Sequence, residues 1–172
     1  SDSLYDNSEI HFTDILSESA ASTIYNIENI TGSHFSQKYG TFSCKTGSNK
    51  IICRRTGDLF EHIDEKFDII LFNPPWINSE ARNRSEKALN DKDQKILKRF
   101  LMQAKHSLNP GGFIIISYSD NSGEKAVKNL DDLISENSFD IVFEKAEKVQ
   151  SYQSGRKWMK IFVRILKRQE NE

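Results

Sequence analysis

A chain of 172 residues, 37% of them hydrophobic and 28% charged, has room for one domain around a single core and is not a disordered polypeptide. Its formal net charge of −1 argues against a nucleic-acid binder that is basic on every face. No apolar run approaches the roughly 20 residues that cross a bilayer, and Ser1 to Asn7 is polar and acidic where a secretory leader would be apolar. Cys44 and Cys53 are too few for a disulfide framework or a zinc site, so a cytoplasmic protein with reduced thiols and no metal is expected.

In chain order, Glu9 to Ile15 reads as a short strand ending at the acid Asp14. Ser17 can cap a following helix whose apolar residues Ala20, Ala21, Ile24 and Ile27 recur at helical spacing. Residues 31–50 are rich in Gly, Ser and Lys and read as a surface insertion with room for a hairpin. Ile51-Ile52-Cys53 resumes a strand that leads to Gly57-Asp58-Leu59-Phe60. Phe67 to Phe72 is apolar on both alternating faces apart from Asp68, the pattern of a strand buried in a parallel sheet. Asn78 to Asp91 is polar and long enough to form a mobile flap. A helix is expected from about Asp93 to Leu108, with Leu97, Phe100, Leu101, Ala104 and Leu108 on one stripe, stopped by Asn109-Pro110-Gly111-Gly112. Phe113 to Tyr118 reads as a buried strand, and Gly123 to Glu136 as a helix packed through Val127, Leu130, Leu133 and Ile134. Phe139 to Val149 and Trp158 to Leu166 are strands joined by a polar turn, 150–157, short enough for antiparallel pairing. The alternation implies one doubly wound α/β domain over residues 1–172 with both sheet faces covered.

The strongest chemical signal is Asn73-Pro74-Pro75-Trp76, directly behind the Phe67–Phe72 run. The two prolines end the strand and stiffen its backbone, so the carbonyls there are firmly aimed. Asn73 offers an acceptor oxygen and an amide donor at the carboxyl end of a strand, where open α/β sheets bind ligands, and Trp76 adds a flat apolar face. Competing chemistry is weak. His11, His34, His62 and His106 lack ligand spacing, and Ser117-Tyr118-Ser119-Asp120 has no nucleophile-elbow context and reads as a strand end on a cleft rim. The basic residues after the turn (Arg82, Arg84, Lys87, Lys92) and near the C-terminus (Arg156, Lys157, Lys160, Arg164) are interleaved with acids and read as solvated faces.

Asn73-Pro74-Pro75-Trp76 resembles the (N/D)PP(Y/F/W) signature of class I S-adenosylmethionine-dependent methyltransferases that modify planar nitrogens. With Trp in fourth place and a charged flap behind it, the pattern is also similar to bacterial small-domain methyltransferases. Asn109-Pro110-Gly111-Gly112 matches the turn ahead of the fifth strand of that family. The resemblance implies a Rossmann-like sheet, mostly parallel with an antiparallel C-terminal strand, and S-adenosyl-L-methionine as cofactor. It implies methyl transfer to an amino or amide nitrogen of a nucleobase in RNA or DNA, or of a protein glutamine, with Asn73, Pro74, Pro75 and Trp76 as the acceptor site. Asp14 matches the acid that holds the ribose hydroxyls. Asp58 matches the residue beside the adenine, with the Leu59 N–H at a ring nitrogen, and Asn73 borders cofactor and acceptor alike.

The sequence departs from the family at one point. No GxGxG loop occurs, and only thirteen residues precede Asp14, so the first strand with its Gly-rich turn and helix is expected to be missing and supplied by an N-terminal segment or a second chain. A non-catalytic fragment or partner subunit without a complete cofactor site is therefore the alternative expectation. A nicotinamide-dependent oxidoreductase comes third, disfavoured by the Asn-Pro-Pro-Trp turn and the terminal hairpin.

Overall fold

The computed structural model describes residues 6–54, 57–151 and 157–169. The expected turn at 150–157 and Arg156 lie largely or wholly outside these residues. The chain divides into two compact units, Ser1–Ile63 and Asp64–Glu172.

In the first unit, β1 (Glu9–Phe12) is followed by α1 (Ser17–Thr31), β2 (Ser36–Lys38), β3 (Thr41–Thr46) and β4 (Asn49–Arg54), in sheet order β1-β4-β3-β2. β1 runs parallel to β4, as a crossover through a helix allows, while β2, β3 and β4 form antiparallel hairpins. Much of the expected insertion at 31–50 is thus strand. Its turns are dictated locally: Lys38 pairs with Thr41 around Tyr39-Gly40, both at positive φ (49° and 81°), the two-residue turn whose twist matches its flanking strands. Ala20, Cys44, Ile51, Ile52 and Cys53 are buried. Ser17 does not cap α1. The helix begins behind Leu16, whose N–H is taken by the Asp14 carboxylate at 2.7 Å, and it ends at Gly32, left-handed at φ 67°.

The second unit contains β5 (Phe67–Phe72), α2 (Lys95–Ser107), β6 (Leu108–Ser119), α3 (Glu124–Glu136), β7 (Phe139–Gln150) and β8 (Trp158–Arg168), in sheet order β5-β6-β8-β7. β5 and β6 are parallel, and β8 enters antiparallel between β6 and β7, the arrangement expected of the terminal hairpin. Leu97, Phe100, Leu101 and Ala104 of α2 are all buried, as their stripe required, together with Leu130 and Ile134 of α3; Leu108, expected at the end of that helix, is buried as the first residue of β6 instead. Ile70, Ile114, Ile116 and Tyr118 form the buried face of the sheet. Gly112 is demanded by a close approach, because a Cβ there would lie 3.0 Å from the carbonyl oxygens of Phe67, Asp68 and Asn109. Arg164 is buried and bonds Asp131 of α3 and Glu144 of β7, tying three elements through one guanidinium.

Two mixed sheets thus replace the single, mostly parallel sheet expected from the sequence. The reason is local pairing. β1 and β5 each hydrogen-bond one neighbour, and no described strand joins the two sheets. The full burial expected of Phe67–Phe72 fails for the same reason: Ile70 is buried, whereas Ile69 and Leu71 are 43% and 74% exposed on the opposite face.

Candidate functional site

The expected residues fall in the two units, and each group has its own geometry. In the first unit, parallel pairing of β1 with β4 in the register Phe12↔Cys53 brings the two strand ends side by side. The Gly57 N–H then donates to the Asp14 carbonyl at 3.1 Å, which puts Gly57-Asp58-Leu59 next to Asp14. The Asp14 Oδ1 accepts from Leu16, and its Oδ2 has no hydrogen bond among the described residues. The Asp58 N–H donates to Glu61 at 3.2 Å. Leu59 sits at φ 59°, a left-handed conformation uncommon for a branched residue, and its N–H meets no described acceptor. A carboxylate oxygen, a second acid and a backbone N–H with no described acceptor are therefore gathered at one end of β1 and β4.

In the second unit, Asn73 is exposed at the C-terminal end of β5 and Pro74 behind it is buried. The side chain of Asn73 accepts at Oδ1 from the Ser117 hydroxyl of β6 at 2.5 Å. Nothing described donates to the Pro74 carbonyl. Trp76 is half-buried, and its indole Nε1 is enclosed with no acceptor among the described residues. Phe72, just before Asn73, stacks on Phe100 with ring centroids 3.9 Å apart.

The segment expected as a flap is strapped at its base. Ile77 pairs with Asn90, the Ile77 N–H donates to Leu89 and the Asp91 N–H returns to Ile77, both at 2.9 Å. Asn90 Nδ2 donates to Ser79 at 2.6 Å, and the exposed Lys92 and Glu80 meet at 3.0 Å. Asp91 is 4% exposed and accepts from the N–H groups of Ile96 and Leu97, so it covers the start of α2. Burial raises its carboxyl pKa, and those same N–H groups oppose the rise. Asp93 and Gln94 come next at positive φ, and the buried Gln94 amide donates to the Tyr118 hydroxyl and the Ala126 carbonyl, each at 2.8 Å. Sequence reasoning missed Asp91 and Gln94 as contributors, and read Ser117 only as part of a strand end on a cleft rim. Only a knowledge of the β5–β6 register would have singled out Ser117 within that strand end, and the left-handed Gln94 carries no sequence mark.

Residues 5–156 match the family model described as BMT5-like, rRNA (uridine-N3-)-methyltransferase. The chain belongs to this family of S-adenosylmethionine-dependent methyltransferases. A relative from Methanocaldococcus jannaschii, provisionally named a protein N5-glutamine methyltransferase, is 38% identical over 78 residues, 42% of this chain and 40% of its own length. The ribosomal protein L11 methylase of Lactobacillus delbrueckii subsp. bulgaricus superposes with TM-score 0.56 at 18% identity, over 94% of this chain and 58% of that one. A Pyrococcus horikoshii protein provisionally assigned as an RNA methyltransferase gives TM-score 0.56 at 12% identity, over 94% and 64%. These likenesses establish an α/β methyltransferase-like fold. The chain spans 40% of the curated relative it matches and 58% of the L11 methylase.

The region matched to the BMT5-like family includes Asp14, Asp58, Leu59, the Asn73–Trp76 turn and Ser117. Two of the basic residues downstream of the turn are engaged locally in this member, Arg82 with Glu86 and Lys92 with Glu80. Arg164, expected on a solvated face, is internal instead. No described helix is long and apolar enough to cross a membrane, and the described residues contain no cluster of metal-ligating side chains.

Proposed function

We propose that this chain transfers a methyl group to the N3 imide nitrogen of uridine in RNA, the chemistry for which its family is named. The observation that carries this reading is the exposed Asn73 amide at the end of β5, with its backbone stiffened by Pro74 and Pro75. When bound, S-adenosylmethionine supplies an electrophilic methyl group on a sulfonium. The donor set of the first unit fits that cofactor: Asp14 Oδ2 suits a ribose hydroxyl, Asp58 the amino group of adenine and the Leu59 N–H a ring nitrogen.

The uridine N3 lies between two carbonyl groups and must lose its proton, to solvent water, before its lone pair can attack. The resulting charge spreads onto the flanking oxygens, and an amide N–H of Asn73 aimed at one of them would stabilise it. Trp76 offers the face on which an unpaired pyrimidine stacks, worth roughly 1–3 kcal/mol.

A second reading is methylation of a glutamine side chain, favoured by the 38% identity to the Methanocaldococcus jannaschii protein. There the Asn73 oxygen and the Pro74 carbonyl would accept the two amide hydrogens and turn the nitrogen lone pair toward the methyl group, with no strong base required.

The test uses labelled S-adenosylmethionine with an rRNA transcript or a glutamine-containing peptide, and mass spectrometry identifies the methylated product. N3-methyluridine is expected, and Asn73→Ala should lower incorporation at saturating S-adenosylmethionine about 100-fold or more, a loss beyond any change in affinity for S-adenosylhomocysteine. Calorimetric titration with S-adenosylhomocysteine separates this enzyme from a non-catalytic subunit, which would not bind it. Transfer by Asn73→Ala within a few-fold of the unaltered protein would falsify the role of Asn73.

A further inference from the structure

We infer that the free end of the β7–β8 hairpin is a docking surface for single-stranded RNA flanking the methylated nucleotide, with Trp158 taking a base and Lys148 and Lys160 the phosphates beside it. This surface presupposes the RNA reading above and adds a site outside the acceptor turn. β6 pairs with β8 only as far as Ser119 opposite Ile161, whereas β7 and β8 stay paired beyond that point to Gln150 opposite Trp158. At the usual rise per residue the hairpin projects about 10 Å past the end of β6. It does so at the C-terminal end of the parallel strands β5 and β6, the end that carries Asn73.

Opposed residues of an antiparallel pair share a face, so one side of the hairpin carries Glu144 with Arg164, Ala146 with Phe162, Lys148 with Lys160 and Gln150 with Trp158. Asp131 of α3 closes this face at Arg164. Further out it is open: Lys148 and Lys160 are exposed, and Trp158 is 44% exposed. Lys148 Nζ lies 5.5 Å from the centroid of the Trp158 ring, a cation–π distance. The neighbouring acids are engaged elsewhere. Glu144 bonds Arg164, Glu147 pairs with Lys145 on the opposite face, and Asp120 accepts from the backbone N–H of Lys160. Among the described residues no carboxylate meets the ammonium of Lys148 or Lys160.

Like charges directly opposite one another destabilise a sheet, and an anion placed between them reverses that contribution. A ribose-phosphate strand brings such an anion with a planar base attached. The succession of ring and ammonium groups along this face matches that of base and phosphate along the strand. An acidic peptide would satisfy the lysines but leave the indole without a planar partner. Asn73 lies beside Ser117, which pairs with Val163, and Trp158 is five residues further along β8. Strand spacing and rise therefore set Trp158 roughly 20 Å from Asn73. One base cannot reach both, so the hairpin holds a neighbouring stretch of the strand and acts on affinity for RNA.

The test follows binding of the intact chain to a fluorescein-labelled, unstructured RNA of about 12 nucleotides, within the span of such sites, by anisotropy across a salt series. The double variant Lys148→Ala, Lys160→Ala should bind about 10-fold more weakly near 0.1 M salt, with a slope of log K against log salt shallower by about 1.4, or about 0.7 for each phosphate. Trp158→Ala should lose about 10-fold with the slope unchanged, and Trp158→Phe should recover most of it. In methylation assays these losses should raise KM for RNA more than they lower kcat. All three side chains are exposed, so unchanged urea midpoints separate lost binding from lost folding. Affinity and salt slope unaltered in the double variant, or no RNA binding by the unaltered protein, overturns the assignment. An oligoglutamate of equal length that binds as tightly also overturns it, in favour of an acidic protein partner. Failure of the methyl-transfer reading looks different: the unaltered protein would bind RNA through these residues and never make N3-methyluridine, which leaves the docking surface standing.

Discussion

Phe72 lies nearly flat against Phe100, with ring centroids 3.9 Å apart and planes 20° from parallel, so the residue immediately before Asn73 is fixed by the core stripe of α2. Phe100 is 3% exposed. Phe100→Ala should therefore destabilise the second unit by about 3–5 kcal/mol, the usual cost of emptying an aromatic site, and Phe100→Leu by clearly less. Urea unfolding followed by tryptophan fluorescence measures both, and a loss under about 1 kcal/mol for the alanine variant would contradict this packing.

The two carboxylate oxygens of Asp14 differ in their surroundings. Its Oδ1 holds the N–H of Leu16 ahead of α1, and its Oδ2 is the atom proposed for the cofactor. Asp14→Asn keeps one acceptor for Leu16 and loses the second. It should weaken S-adenosylhomocysteine binding about 10-fold or more by calorimetry at little cost to folding. Asp14→Ala should show the same binding loss and a further ~1 kcal/mol of instability from the uncovered N–H. Equal affinities for all three proteins would remove Asp14 from the cofactor site.

Gly111 and Gly112 make a matched pair of controls. At Gly111 the backbone has φ 78° but the space beside it is open, whereas Gly112 is confined by three carbonyl oxygens at 3.0 Å. Gly111→Ala should cost about 1 kcal/mol for the left-handed backbone alone. Gly112→Ala must push β6 away from the start of β5 and should cost roughly 1–3 kcal/mol. Chemical denaturation that ranks them the other way would mean that the two strands yield more easily than their register suggests.

Cys53 has no exposed surface, and burial raises its thiol pKa from 9.0 to about 11. A pKa raised in the folded state means that the folded chain holds its proton where the unfolded chain has released it. This contribution is complete below pH 9 and is lost as pH rises toward 11. Stability should fall by about 2 kcal/mol over that interval on account of this group. The drop should be smaller by that amount in Cys53→Val, compared by urea midpoints at about pH 8 and pH 11. An identical alkaline loss in both proteins would show that Cys53 does not titrate with unfolding.

Periodicity made the second unit legible and said less about the first. Leu97, Phe100, Leu101 and Ala104 announce the buried side of α2 because helical spacing and burial coincide there. Residues 36–46 left room for a hairpin but did not mark its strands, since Ser, Gln and Lys in β2 are exposed and only Cys44 of β3 is buried. Hydrophobic alternation cannot register a strand without a buried side. The Asn73–Trp76 turn stood out because two consecutive prolines are rare punctuation with a definite backbone effect. Gln94, and the pairing of Ser117 with Asn73, escaped notice for another reason. Both reach a residue remote in sequence, a relation that leaves no pattern along the chain.

The strap between Ile77 and Asn90 separates two jobs that a simple loop would confuse. Because the chain leaves and re-enters through one paired position, and Asp91 and Gln94 anchor the entry into α2, residues 79–89 behave as a cassette. Their number and charge can change without redirecting Trp76 or shifting the first turn of that helix. Insertions and deletions there would leave the Asn73 turn, the proposed acceptor site, where it is.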